Sequence, residues 1–249
     1  MKSLQLQVAL LPDLLVAPHP VNCGSVVIDT LRFTTTAAQA LTAGCQSIRV
    51  TDSIEQAQSV AHHVPGQARP LLCGERNCQP IPGFDLGNSP LEYSPQRIKN
   101  HQLIFTTTNG TKAVQAVSGF EHCLLGSLVN RMAIARRIAE LQTPHWQIIC
   151  AGTDGEIAGE DVLAAGAIIE MLSDLTGVEI RLLNDSATLA QQFWMNAMHQ
   201  PNGLESLLSS FSGGRNLIKA GYKDDVEFAS QVDLLDAVPT RELNRTLFT

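Results

Sequence analysis

The chain holds 249 residues, 44% hydrophobic and 16% charged, a globular composition that excludes a disordered chain and suffices to bury a sizeable core. Its formal net charge of −7 argues against a nucleic-acid or anionic-membrane surface. A small anionic substrate stays open, provided that positive groups or a metal gather locally.

Gln5 to Leu11 reads as a first strand. Val21 to Asp29 carries the apolar run Val26-Val27-Ile28, a buried strand ending at Asp29. Thr34 to Ala43 is helix-like, and Gly44 stops it. Ile48 to Thr51 is the next strand. Ser53 with Gln56 fits a capping box for a helix to about Val64, and Pro65-Gly66 turns the chain. Leu71-Leu72 opens a strand that gives way to a long polar loop reaching Tyr93. The loop carries Glu75, Arg76, Asp85, Asn88, Ser89 and Glu92, and Phe84, Leu86, Leu91 and Tyr93 pin it down. Long pinned loops of this kind are characteristically functional, and carboxylates beside a guanidinium suit a metal and an anion.

A short helix follows near Pro95 to Lys99, then a strand at Leu103 to Phe105. Thr111 to Val117 is a helix ended by Gly119, and His122 to Leu125 is a strand. Ser127 caps a helix to about Leu141, and Trp146 to Cys150 is a strand before the polar loop Ala151 to Asp161. Val162 to Leu175 is a helix apolar nearly all round, which predicts burial. Val178 to Leu183 is a strand, and Asp185 starts a helix to about Met198. Short helices fill the chain from Gly203, with a last strand near Leu234 to Val238. This alternation predicts an α/β fold: three layers, α/β/α, around a mainly parallel or mixed sheet, with two subdomains divided near Thr143-Pro144 (143–145).

The six cysteines form no CxxC pair and sit in or beside apolar runs, as reduced core thiols of a cytosolic protein do. The seven histidines show no HxxxH or HExxH spacing, which argues against zinc. Lys2 precedes a leucine-rich run, but Gln5, Gln7, Pro12 and Asp13 interrupt it, so no signal peptide is read there. No stretch reaches transmembrane length.

Four strand-to-helix junctions carry polar groups: Asp29-Thr30-Leu31-Arg32, Gly74-Glu75-Arg76, Thr106 to Thr111, and Gly152 to Asp161. In a parallel sheet all four lie at carboxyl ends of strands, where open α/β sheets bind ligands. Thr107, Thr108, Asn109 and Gly110 form a hydroxyl-rich turn that suits a phosphate, although an ordinary cap and turn use the same residues. Asp29 ends an apolar strand, where a charge has little structural reason to sit. Glu160 and Asp161 have a plainer explanation as first-turn acids of a helix. Arg32, Arg76 and Arg215 suit bidentate contact with an anion, and each alone also fits a surface residue. Phe33-Thr34-Thr35-Thr36 recurs as Phe105-Thr106-Thr107-Thr108, a short internal echo.

At these residues the chain resembles the 2-phosphosulfolactate phosphatases of coenzyme M biosynthesis, a class of Mg²⁺-dependent acid phosphatases. The resemblance rests on VVIDTLRFTTT (26–36), GERN (74–77), GFDLGNSPLEY (83–93), TTTNGT (106–111), GS with Asn130, CAGTDG with GED (150–161), and GRNLIKAGYKDDVEFASQVD (214–233). It spans almost the whole chain in order, as one phosphatase domain over residues 1–249. One departure is Asn77-Cys78 after GER, where small glycine-like residues are expected.

The resemblance implies a cytoplasmic, Mg²⁺-dependent hydrolase of the phosphate ester of a 2-hydroxy carboxylic acid, taking (2R)-2-phospho-3-sulfolactate to (R)-3-sulfolactate and phosphate. A homodimer is expected, as is common for such enzymes. Asp29, Glu75 and Asp161 are the expected metal region, with Asp29 and Glu160 catalytic. Arg32, Arg76, Asn88, Ser89, Thr107, Thr108, Asn109, Gly110 and Arg215 are expected to hold substrate. Leu31 stands where haloacid-dehalogenase phosphatases need a second Asp, which favours attack by a metal-activated water over a phospho-aspartate. The competing readings are a phosphatase of another small phosphorylated acid or sugar, and a non-catalytic anion-binding module.

Overall fold

The computed structural model describes residues 3–15, 22–63, 69–177, 179–201 and 203–249. The Pro65-Gly66 turn lies outside the described residues, as do Lys2, Val21, Val64 and Val178 at the edges of expected segments.

The strands are β1 (Leu4–Ala9), β2 (Cys23–Ile28), β3 (Ser47–Val50), β4 (Leu71–Arg76), β5 (Gln79–Pro80), β6 (Gln102–Thr106), β7 (His122–Gly126), β8 (His145–Cys150), β9 (Ile180–Leu182), β10 (Thr240–Glu242) and β11 (Leu247–Phe248). The helices are α1 (Phe33–Thr42), α2 (Ile54–His63), α3 (Pro95–Ile98), α4 (Gly110–Ala116), α5 (Arg131–Leu141), α6 (Gly159–Thr176), α7 (Asp185–Ala197), α8 (Gly203–Ser210), α9 (Ser212–Lys219) and α10 (Lys223–Ala229). The fold is mixed α/β, with the strands divided between two sheets. One runs β10-β7-β2-β8-β1-β9 and the other β11-β3-β6-β4-β5. Inner pairings are parallel, and the edge strands β10, β11 and β5 run antiparallel to their neighbours.

Strand alternation distributes the core. On β2, Val26 and Ile28 face a cluster with α5, α6 and α7, whereas Val27 faces a second cluster with α1 and α4. Ile148 and Ile149 divide the same way on β8. The second cluster also takes Ile48, Leu103 and Phe105, so α1 and α4 fill the space between the sheets. Ile104, on the other side of β6, meets Ala57 of α2. Helix α6 is buried along most of its length, with Leu163, Ala164, Ala165, Ala167, Ile168, Ile169 and Leu172 all inaccessible. Its apolar perimeter follows from its place between α5 and α7.

The last strand differs from expectation. Leu234 to Val238 makes no ladder; Leu235 instead packs on Ala38 and Val129, and its N–H donates to Val129 O (2.8 Å). Pro239 follows without an N–H of its own, and pairing begins only at Thr240. Thr240 and Thr249 exchange backbone hydrogen bonds at 3.1 Å each, which ties the edge strand of one sheet to that of the other.

Strand β4 is longer than the sequence pattern implies. Glu75 and Arg76 are not in a loop; they pair with Pro80 and Gln79 across a two-residue turn. The turn residues Asn77 and Cys78 have φ of 52° and 63°. Both positive values belong to the tight hairpin turn that matches strand twist. That region favours glycine, which explains why small residues are expected there.

Candidate active site

The carboxyl ends of β2 and β8 in one sheet and of β4 and β6 in the other open into one cavity of about 400 Å³. Asp29, Arg32, Glu75, Asn77, Asn88, Thr108, Asn109, Thr153 and Asp154 line it from the strand-end loops. Helix α9 closes the opposite side with Gly213, Asn216, Leu217 and Lys219.

Local chemistry holds Asp29 in place. The threonine run of α1 turns its hydroxyls onto the strand-end loops. Thr34 Oγ1 donates to Asp29 O (2.9 Å) and accepts from Asp29 N–H (3.0 Å). Thr35 Oγ1 donates to Thr30 O (2.8 Å), and Thr36 Oγ1 donates to Asn88 O (2.8 Å). The Phe33 N–H donates to Asp29 Oδ1 (3.3 Å). Gly110 lets α4 approach closely, because a Cβ there would stand 2.7 Å from Asp29 Oδ2.

Two carboxylates act as loop clasps. Glu75 Oε1 accepts from Thr108 N–H (2.8 Å) and Oε2 from Cys78 N–H (3.0 Å). Asp161 Oδ1 accepts from Thr30 N–H (2.8 Å) and Oδ2 from Gly152 N–H (3.1 Å). Each therefore joins the ends of two strands' loops. Glu160 is different: it is buried, its Oε2 has no hydrogen-bond partner, and Gly213 of α9 packs against its carboxylate.

Burial pushes the Asp29 carboxyl up to about 7, with Glu75 and Glu160 adding repulsion and the Phe33 N–H and Arg32 pulling it back. Burial also raises Asp161 well above the carboxylate range, with Asp29 and Glu160 contributing. Glu160 is raised by burial and drawn back by its own backbone N–H and by Arg215. Three acids thus crowd one end of the sheet with too little positive charge to ionise together. Even so, no group of three or more His, Cys, Asp or Glu is arranged to hold a metal among the described residues. The oxygen-only donors at Asp29 and Glu160 suit a hard cation that asks for one or two protein carboxylates.

The arginines separate. Arg32 is buried and lines the cavity. Its Nη1 donates to Asp225 Oδ2 (2.6 Å), its Nη2 donates to Cys78 O (2.9 Å), and its guanidinium lies 4.3 Å from the Tyr222 ring centroid. Arg76 lies outside the lining and donates to Thr106 O and Oγ1 (3.2 and 2.9 Å). Arg215 is exposed, donates to Ser210 O, and stands off the lining.

The other expected substrate residues also divide. Thr108 Oγ1 and Asn88 Oδ1 are buried without partners, and both residues face the cavity, as does Asn109. Thr107 is occupied internally, its N–H donating to Thr111 Oγ1 (3.0 Å). Ser89 Oγ donates to Asp225 Oδ1 (2.6 Å). The two copies of the Phe-Thr-Thr-Thr echo sit differently, one inside α1 and one across the end of β6.

A model of the 2-phosphosulpholactate phosphatase family matches residues 10–244. The chain belongs to that family. Three relatives named "Probable 2-phosphosulfolactate phosphatase" support the assignment. The protein of Caldanaerobacter subterraneus subsp. tengcongensis is 40% identical over 216 residues, 86% of each chain. That of Synechococcus sp. strain CC9605 is 38% identical over 218 residues, 87% of this chain and 88% of the relative. That of Thermotoga petrophila is 35% identical over 230 residues, 92% and 94%.

For this phosphosulpholactate phosphatase family member, sequence reasoning overlooked Asp225, Tyr222, Asn216 and Lys219. Asp225 reads as an ordinary first-turn acid of α10, and only folding brings it to Arg32 and Ser89. Asn216 and Lys219 share one face of α9 with Gly213, a spacing visible in the sequence but without meaning until the helix is placed.

Proposed function

We propose that the protein is a Mg²⁺-dependent phosphoric monoester hydrolase that converts (2R)-2-phospho-3-sulfolactate to (R)-3-sulfolactate and phosphate. Family membership supports the reaction class and the substrate named for the relatives. The observation that carries the reading is the cavity itself: Thr108 and Asn88, each with an unpartnered buried oxygen, line it with Asp29 at strand ends from two sheets, and the unpartnered Glu160 carboxylate lies near enough to raise Asp29.

Thr108 and Asn109 hold the phosphoryl group. Arg32, fixed by Asp225, holds the substrate carboxylate; a guanidinium uses one N–H of each terminal nitrogen on these partners and keeps a second. Asp29 and Glu160 hold Mg²⁺, while Glu75 and Asp161, each accepting two backbone N–H groups, fix the loops around it. Bound there, Mg²⁺ supplies a Lewis acid for the phosphoryl oxygens and acidifies a water. Without a cation, burial, with Glu75 and Glu160 adding repulsion, favours the protonated form of Asp29. The attacking group is water, since Leu31 denies Asp29 the neighbouring acid of a phospho-aspartate enzyme. A cytoplasmic homodimer completes the proposal.

Phosphate release from phosphosulfolactate and from phospholactate, each with and without Mg²⁺, tests it. Release from the first ester only with Mg²⁺ is expected. Tight ester binding with no phosphate formed would overturn it in favour of an anion-binding module.

A further inference from the structure

Charge across the cavity lining is unevenly answered. Asp29, Glu75 and Asp154 stand against two cations, Arg32 and Lys219. Arg32 is already neutralised by Asp225 at 2.6 Å, with both side chains buried. Lys219 is exposed on the α9 side, and no carboxylate among the described residues comes within ion-pair distance of it. Among the described residues of the lining, Lys219 is thus the cation that no carboxylate neutralises.

We propose that Lys219, with Asn216 one turn before it, forms the subsite for the sulfonate, the anion that hydrolysis leaves untouched. This rests on the phosphosulfolactate reading above. The placement of α9 is fixed by packing: Leu217 is buried in the core shared with α6 and α10, and Gly213 abuts Glu160. Spacings of three and four then put Gly213, Asn216, Leu217 and Ala220 on the cavity lining together with Lys219. Arg215, one turn before Lys219, gives its guanidinium to Ser210 O and stands off the lining. Of these two cations of α9, Lys219 is the one that reaches the lining.

The chemistry of the two cations divides the two remaining anions. A guanidinium is planar and matches a carboxylate edge to edge. An ammonium is compact, with three donors that rotate to suit three oxygens in a pyramid. A sulfonate presents that pyramid and stays ionised at every working pH. The Asn216 amide adds a neutral N–H donor beside the ammonium.

The test compares two substrates that differ only in the sulfonate. Phosphosulfolactate and phospholactate are turned over, with Mg²⁺, by the unaltered enzyme and by Lys219→Met, Lys219→Arg and Lys99→Met. Lys99 is an exposed lysine outside the lining and controls for net charge. Lys219→Met raises KM for phosphosulfolactate about 10-fold or more and leaves KM for phospholactate within about 2-fold. Lys219→Arg recovers most of the loss, and Lys99→Met changes neither. Equal shifts for both esters, or none for either, overturn the assignment while leaving the reaction intact. An unaltered enzyme that releases phosphate from neither ester instead removes the reaction, and the subsite falls with it.

Discussion

Arg32 Nη1 lies 2.6 Å from Asp225 Oδ2, and the two side chains are 3% and 2% exposed. The pair joins the loop after β2 to the start of α10, across 193 residues of sequence. Asp225 also accepts from Ser89 at 2.6 Å, so one carboxylate fixes both a cavity cation and the turn beside Asn88. Removing one member of a buried pair leaves the other charge without a partner, at about 3–5 kcal/mol. Asp225→Ala is expected to lower the melting temperature by at least about 6 °C, given roughly 2–4 °C per kcal/mol at this size. Ser89→Ala loses only a neutral donor and is expected to cost less than half as much. Thermal melts followed by circular dichroism compare them, and equal, small shifts would show that the pair is worth no more than a surface bridge.

Asp29→Asn is expected to cut turnover at least about 100-fold, or roughly 2.7 kcal/mol in the barrier, while the fold is kept. The amide still accepts the Phe33 N–H at the same atom position. Steady-state kinetics over a Mg²⁺ titration decide it; near-native turnover with an unchanged Mg²⁺ dependence excludes Asp29 from the site.

The same residue sets a pH dependence of stability. In the folded protein the Asp29 carboxyl sits at about 7, above the 3.8 of an ordinary aspartate. The folded state therefore binds this proton more tightly than the unfolded state, so the contribution of Asp29 to stability is fullest below about pH 4. It declines as pH rises from about 4 to about 7, by an amount up to about 4 kcal/mol. Burial raises Glu160 and Asp161 in the same direction. Metal-free protein is expected to melt at a higher temperature at pH 5 than at pH 7.5, and Asp29→Asn to flatten that slope. A metal-free protein that gains stability across this interval contradicts the crowding of unpaired acids.

Treatment with EDTA is expected to abolish phosphate release, and Mg²⁺ to restore it. Addition of Mg²⁺ at pH 7.5 is also expected to raise the melting temperature, because binding to the folded state alone stabilises it. Full activity in protein shown to be metal-free by elemental analysis removes the metal from the proposal.

Gly213 has no side chain to separate α9 from Glu160. Gly213→Ala gains up to about 1 kcal/mol of helix propensity but forces the Glu160 carboxylate aside. The expected result is a melting temperature within about 3 °C of the parent and turnover reduced at least about 10-fold. Unchanged kinetics would show that Glu160 is free to move without consequence.

Much of the architecture was legible in the linear pattern. The runs Val26-Val27-Ile28 and Leu103 to Phe105, and the stretch of α6 that is apolar nearly all round, are signatures of buried elements, and short-range patterning suffices to read them. Burial of all cysteines except the half-buried Cys78, each as a free thiol, follows from their apolar neighbours in the chain. Leu234 to Val238 misled because an apolar run says only that it is buried, and Leu235 is buried against Val129 and Ala38 rather than in a ladder. Glu75 and Arg76 misled because their strand partner is a hairpin whose turn residues, Asn77 and Cys78, carry no glycine.

The sequence by itself determined the α/β class, the polar strand ends and the family, because each is written in residues close together along the chain. Only the tertiary structure decided that those strand ends come from two sheets facing one cavity. It alone assigned Glu75 and Asp161 to clasping backbone N–H groups, left Glu160 without a hydrogen-bond partner at Oε2, paired Arg32 with Asp225, and turned Lys219 rather than Arg215 toward the lining. The physical reason is that a carboxylate's role depends on which donors reach its oxygens. Here those donors arrive from segments up to 193 residues away, fixed only by how the cores pack.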